Sequence, residues 1–240
     1  MGRYVYSGYQ NVKNGAAKRV MFRVPGGGCT QYTTTWTVPT GVNCATFEIW
    51  GGGGAGAPMC CCTCYSGHAG AGGGYSLKTI PVTPGEVYNI AVGAGGCGNE
   101  CWFNTNACGC PGQTSYVTGT GLSNFCATGG AGGLWCNSNV DAAAAGIGYG
   151  GDVSIRGRQP RSTVCCHAFC SGSSFGGASP FGGGWQIGTK SVGANIYQAC
   201  GSSGNFPGGG GTPKPQLNTW CDCTAGCAGG GADGLVIITI

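Results

Sequence analysis

Nineteen cysteines are the most reactive groups in this 240-residue chain, and most of them are clustered. Cys60, Cys61, Cys62 and Cys64 form one group; Cys97, Cys101, Cys108 and Cys110 form a second. Cys165, Cys166 and Cys170 form a third, and Cys221, Cys223 and Cys227 a fourth, while Cys29, Cys44, Cys126, Cys136 and Cys200 stand apart. Thiolates so spaced could ligate zinc: Cys61 and Cys64 are a CxxC pair, and Cys108/Cys110 and Cys221/Cys223 are each separated by one residue. Finger spacing is missing, however, and His68 and His167 are the only histidines. A disulfide framework clipping loops suits a chain with few core side chains. Unbridged thiols and a bound metal are the rival readings.

Other constellations promise less chemistry. Cys166-His167 are adjacent, which does not place a thiolate in line with its base. Gly93-Ala94-Gly95-Gly96-Cys97-Gly98 has G-x-G-x-x-G spacing directly after a strand-like run. A dinucleotide site also needs a helix opening there and an acid about twenty residues on. Asn99-Glu100-Cys101-Trp102 follows instead, so no cofactor is expected. The seven acidic residues, Glu48, Glu86, Glu100, Asp141, Asp152, Asp222 and Asp233, are scattered, with no close pair of the glycosidase kind. The chain reads as a non-enzyme.

Charged residues make up 8% of the chain and the formal net charge is +4. So few charges point to burial within a larger assembly or oligomer. Arg3, Lys13, Lys18, Arg19 and Arg23 precede the first acid, Glu48, and are candidates for docking on an acidic partner surface; a solvated basic arm is the rival reading. Arg156, Arg158 and Arg161 form a second basic group. Nucleic-acid binding would need a denser stripe and a recognisable module. Met1-Gly2-Arg3-Tyr4-Val5-Tyr6 leads into no signal-type apolar run, and the longest apolar run, 235–240, is too short to span a membrane. Exit from the cell by lysis, without membrane insertion, is the expectation.

The elements that position these groups are strands and glycine. Ala45, Phe47 and Ile49 alternate with Thr46, Glu48 and Trp50, as a half-buried strand requires. Strand signals recur at 20–24, 35–38, 75–82, 86–92, 114–118 and 152–155. The β-branched run 235–240 predicts a strand buried on both faces. Helical periodicity is absent, so the expected class is all-β. The 54 glycines fall in blocks where strand runs end, at 51–54, 72–74, 93–96, 129–133, 182–184, 208–211 and 229–231. Glycine-rich segments can form left-handed extended helices with three residues per turn. Without a Cβ such helices approach closely and hydrogen-bond to one another, with Cα–H···O contacts adding support. Collagen is excluded, because the strict triplet repeat and the proline are missing.

Three motifs, in order, resemble a known family. Trp36-Thr37-Val38-Pro39, with Gly41-Val42 and then Phe47-Glu48-Ile49-Trp50-Gly51-Gly52-Gly53-Gly54, is similar to the opening of glycine-rich β domains in tailed-phage fibre and adhesin proteins. Thr83-Pro84-Gly85-Glu86-Val87-Tyr88-Asn89-Ile90-Ala91-Val92-Gly93-Ala94-Gly95-Gly96 resembles their middle hairpin. Gly230-Gly231-Ala232-Asp233-Gly234-Leu235-Val236-Ile237-Ile238 resembles their closing strand. The resemblance runs over 33–240 and leaves 1–32 as an attachment arm or edge strand. It implies a β-sandwich with glycine-rich loops, including packed polyglycine-II helices, whose variable tip segments bind a host receptor. The cysteine clusters depart from that family, and no coiled coil or long shaft is present.

The functional expectation follows from both readings. Trp102, Phe103, Trp135, Tyr197, Phe206 and Trp220 are aromatics set in polar or cysteine-bounded loops, suited to a glycan or protein surface. Covering a thin core is the rival role for each. The chain is expected to be a virion structural protein of the tail-fibre or tip-adhesin type. Its partners would be other virion proteins and a host-surface glycan or protein. A purely structural virion component, such as a capsid decoration or fibre connector, and a cysteine-rich metal-binding protein are the alternatives.

Overall fold

A computed structural model describes residues 18–57, 68–98, 108–134, 143–162, 174–183, 186–187, 201–213 and 228–240. The fold is all-β. One antiparallel sheet joins β1 (Arg19–Phe22), β13 (Leu235–Thr239), β3 (Cys44–Trp50), β4 (Tyr75–Pro81) and β9 (Val153–Ile155), in that spatial order. A second antiparallel sheet joins β2 (Tyr32–Thr37), β5 (Val87–Val92), β6 (Ser115–Thr118), β7 (Cys126–Ala127) and β8 (Gly148–Tyr149). Two-residue strands β10 (Arg161–Ser162), β11 (Ser174–Phe175) and β12 (Gln186–Ile187) form a small third sheet.

The alternation along β3 works as its sequence predicts. Ala45, Phe47 and Ile49 point inward and are essentially inaccessible. They meet Trp36, Tyr88, Ile90, Val92 and Val117 of the second sheet in one core. Trp36, Phe47 and Tyr88 form its aromatic centre, with ring centroids 5.2–5.9 Å apart. The turn between β4 and β5 places Gly85 at a φ of 90°, which a side chain would resist. Val236 and Ile238 of β13 are fully buried in the core, but Ile237 on the opposite face is only partly covered. Burial on both faces, predicted for 235–240, holds at Leu235, which is buried against Trp50 and Tyr75, and is only partial at Ile237.

The strands end at a common level, and there glycine takes over. Residues 51–57, 93–98, 128–134 and 208–213 run away from the sandwich, while 68–74, 108–114 and 228–234 run back. Segment 51–57 shows how they are joined. Gly51, Gly54 and Ala57 donate to Gly74, Ala71 and His68; Gly52 and Ala55 donate to Gln113 and Cys110; Gly53 and Gly56 donate to Ala232 and Gly229, all at 2.8–3.0 Å. Every third residue therefore faces the same antiparallel neighbour, which is the periodicity of a three-per-turn extended helix. The carbonyls of the segment accept from parallel neighbours: Gly52 from Gly130, Gly53 from Gly96, and Gly54 from Gly211. These are packed polyglycine-II helices.

Close packing makes the glycines obligatory. A Cβ built on Gly53 would lie on the carbonyl of Gly209, and one on Gly210 would lie on the carbonyl of Gly70. Where the lattice has room for a methyl group, alanine appears, and Ala71, Ala143 and Ala145 form a small apolar cluster. The stability of this half of the molecule comes from paired backbone groups rather than from large side chains.

Candidate binding surface

The glycine bundle has two ends, and they differ in what they gather. At the end next to the sandwich, Gly93 follows β5 and Gly51 follows β3, held together by the Ser115 hydroxyl. Asp233 accepts the Gly95 N–H at 2.8 Å at this level. Burial pushes its carboxyl above the ordinary aspartate range, and the Gly95 N–H partly offsets that rise.

At the other end, the tip, the described residues that bound six intervening segments converge. Ala57 donates to His68, and His68 donates to Leu134. Gly109 donates to Gly133, so 108 and 134 end at one level. Gly229 donates to Thr212, whose buried hydroxyl accepts the Ser202 N–H at 2.8 Å. Ser162 pairs with Ser174, and Ser174 pairs with Ile187. Segments 58–67, 99–107, 135–142, 163–173, 188–200 and 214–227 thus all leave and re-enter the described structure at this end. His68 is 6% exposed here, and burial holds its imidazole below the ordinary histidine range.

Trp102, Phe103, Trp135, Tyr197 and Trp220 lie outside the described residues, as do Arg3 and Lys13. The five aromatics nevertheless belong to segments bounded at the tip, as do the cysteine clusters at 60–64, 165–170 and 221–227. Phe206 is placed elsewhere. It stands 47% exposed in the turn 206–208, at the sandwich end, where Gly208 donates to Asp233 and the Ser179 hydroxyl donates to the Pro207 carbonyl. The structure does not bring it together with the tip.

The model of a glycine-rich domain family matches residues 29–239. The chain belongs to this family. No curated protein matches the chain. In this glycine-rich domain the opening, middle and closing motifs become three of the places where a strand runs into or out of the bundle: Trp50–Gly51, Val92–Gly93 and Gly234–Leu235.

Of the basic candidates, Lys18, Arg19 and Arg23 are described. Arg19 begins β1, opposite Thr239, and the backbones of Lys18 and Ile240 exchange hydrogen bonds at 2.8 and 2.9 Å. That pairing places Lys18 and Arg19 at the sandwich pole farthest from the tip. Arg23 is exposed just beyond β1.

Among the described cysteines, Cys29 and Cys97 form a disulfide, with Cα atoms 5.6 Å apart. It ties the turn before β2 to the bundle segment that follows β5. Cys44 and Cys108 carry exposed thiols, and Cys126 a partly buried one whose pKa burial raises. Sequence reasoning assigned no role to Ser115, Thr212 or Asp233, whose polar atoms serve the backbone at the two ends of the bundle. Their signal was small polar residues within or beside glycine runs.

Proposed function

We propose that the protein is a phage virion structural protein of the tail-fibre or tip-adhesin type, which recognises a host-surface receptor through segments mounted on a glycine bundle. The reading rests on one observation, the gathering of the ends that flank six segments at one end of a body whose strand β1, entered through Lys18 and Arg19, begins at the opposite pole. Backbone hydrogen bonds hold the ends, as at Ala57–His68, Gly109–Gly133 and Gly229–Thr212, so the segments between them could change without disturbing the support. Rigid presentation also lowers the ordering cost of binding. The aromatics in these segments, Trp102, Trp135 and Trp220 foremost, supply large faces for a glycan or protein. Other virion proteins would hold the opposite pole, where Lys18 and Arg19 stand.

Competition for adsorption tests the reading. Purified chain should block adsorption of the phage that carries it to host cells. The combined variant Trp102→Ala, Trp135→Ala, Trp220→Ala should lose the block while keeping the wild-type unfolding midpoint. Folded wild-type chain that leaves adsorption unchanged would overturn the proposal.

A further inference from the structure

The two sandwich faces that point away from the core differ in chemistry. On the second sheet, Thr33, Thr35 and Thr37 of β2 and Asn89 of β5 make the middle of the face polar, and the exposed apolar residues Val87 and Tyr149 stand singly at its margins. On the first sheet the register lines up apolar residues instead. Val153 pairs with Leu77, Leu77 with Glu48, Glu48 with Ile237, and Ile237 with Met21, so one row crosses all five strands. Met21 is 51% exposed and Val153 is 45% exposed. The adjacent row carries Ile155, which is exposed, and Tyr75, Trp50 and Leu235, which are buried.

Phe181 completes the surface. It is 78% exposed, and its ring meets Tyr75 and Trp50 edge-on at 5.3 and 6.4 Å. Its φ of 64° is a conformation that bulky side chains rarely adopt. The Trp50 indole N–H holds the turn by donating to the Pro180 carbonyl at 2.7 Å. A large ring kept outward at a backbone cost has the character of an interface anchor.

We infer that this outer face of the first sheet is a docking surface for a different protein, one that presents an apolar patch with a lysine or arginine near its centre. Area supports the first part. Met21, Val153, Ile155 and Phe181 leave on the order of 400 Å² of apolar surface open, about half of one partner's share of a standard interface. Charge supports the second. Glu48 stands in the middle of the apolar row, its carboxylate accepting the Tyr75 hydroxyl at 3.1 Å. A two-fold pairing of this face with itself, centred on the row, would oppose Glu48 to its own copy in a desolvated setting, which like charges resist. A cation from another protein would satisfy the same carboxylate.

The inference does not depend on the host-binding proposal, and its test separates the two. A benzophenone amino acid is placed at Met21, at Val153 or at Phe181, with Thr35 as the control position, in the culture where the chain is naturally made. Irradiation should join the chain to one protein species of the same mass from all three positions and from none at Thr35. Glu48→Lys should cut the yield about ten-fold or more. Glu48→Gln, which keeps an acceptor for Tyr75, should weaken it in the same direction. Purified chain should sediment as a monomer up to about 100 μM. A covalent dimer of the chain, equal adducts from Thr35, no adduct, or an undiminished yield with both Glu48 variants would each overturn the inference. An adduct partner absent from the virion would leave it standing and count against the adhesin reading alone.

Discussion

The hydroxyl of Ser115 donates to the carbonyl of Trp50 at 2.6 Å, across 65 residues of sequence. The same oxygen accepts the Gly93 N–H at 2.8 Å. Trp50 and Val92 are the last residues of β3 and β5, one from each sheet of the sandwich, so a single fully buried hydroxyl joins the points where both sheets become bundle. Ser115→Ala leaves the Gly93 N–H without this acceptor in a site closed to water. The expected loss is about 2 kcal/mol, the usual cost of a buried donor left unsatisfied. Urea unfolding of the variant measures it, and a loss under about 0.5 kcal/mol would show that the bridge is replaceable.

The bundle also predicts which glycines tolerate a methyl group. A Cβ at Gly53 would overlap the carbonyl of Gly209, and both belong to hydrogen-bonded helices that cannot separate without breaking several pairs. Gly53→Ala should therefore cost about 3 kcal/mol or more, or prevent folding. Gly28 has open space around its Cβ position and an extended φ of −74°. Gly28→Ala should be neutral or stabilising by up to about 1 kcal/mol, because it restricts the unfolded chain. Thermal unfolding of the two variants side by side tests the contrast.

How much of this was legible depended on whether side chains carried the signal. Phe47 and Ile49 alternate with Glu48 and Trp50, so β3 could be read directly, and β5 and β6 likewise. The glycine blocks and their strand-end positions pointed correctly to laterally bonded helices. Which neighbour each helix takes could not be read, because the pairing of Gly54 with Ala71 or of Gly53 with Ala232 is made by backbone atoms that every residue has. Strands β7, β8 and β10 to β12 are two residues long, too short for any period. Ile237 read as buried on composition, although the structure leaves its face partly open. Phe206 shared its loop chemistry with the other aromatics, and only the course of segments 201–205 and 208–213 sets it at the sandwich end.

The Cys29–Cys97 disulfide closes a loop with a sequence separation of 68. Chain-entropy reasoning gives such a link about 4 kcal/mol at most, since cross-linking removes freedom from the unfolded chain. Replacing both residues by serine should lower the unfolding midpoint under oxidising conditions and reduce the midpoint shift that a reducing agent causes. Denaturation of wild type and variant, each with and without dithiothreitol, provides the comparison.

Asp233 gives one pH dependence of defined sign. Its folded-state carboxyl binds its proton more tightly than in the unfolded chain, chiefly because of burial. Between the ordinary aspartate value near 4 and the raised folded value, the native state binds more protons, so stability falls as pH rises through that window. Asp233→Asn keeps an oxygen for the Gly95 N–H and removes the charge. The stability difference between variant and wild type should grow in favour of asparagine from pH 4 to pH 7, as read by urea unfolding.

His68 gives the opposite dependence, at the other end of the bundle. Burial disfavours its charged form, so the folded-state pKa lies below the ordinary value near 6.5. Below 6.5 the unfolded chain takes up a proton that the native site resists, and ∂ΔG/∂pH is positive there. The stability contributed by neutral His68 is therefore complete above 6.5. It is lost as pH falls from 6.5 through the depressed folded value, by at most about 1.4 kcal/mol per pH unit. Because the His68 backbone ties Ala57 to Leu134, protonation should loosen the tip before the sandwich. Hydrogen exchange at the Ala57 amide, corrected for intrinsic rates, should gain in opening from pH 7.5 to 5.5 more than exchange at Ile49 in β3. His68→Gln should flatten that difference, and equal acid sensitivity of both amides in wild type would show that the histidine does not govern the tip.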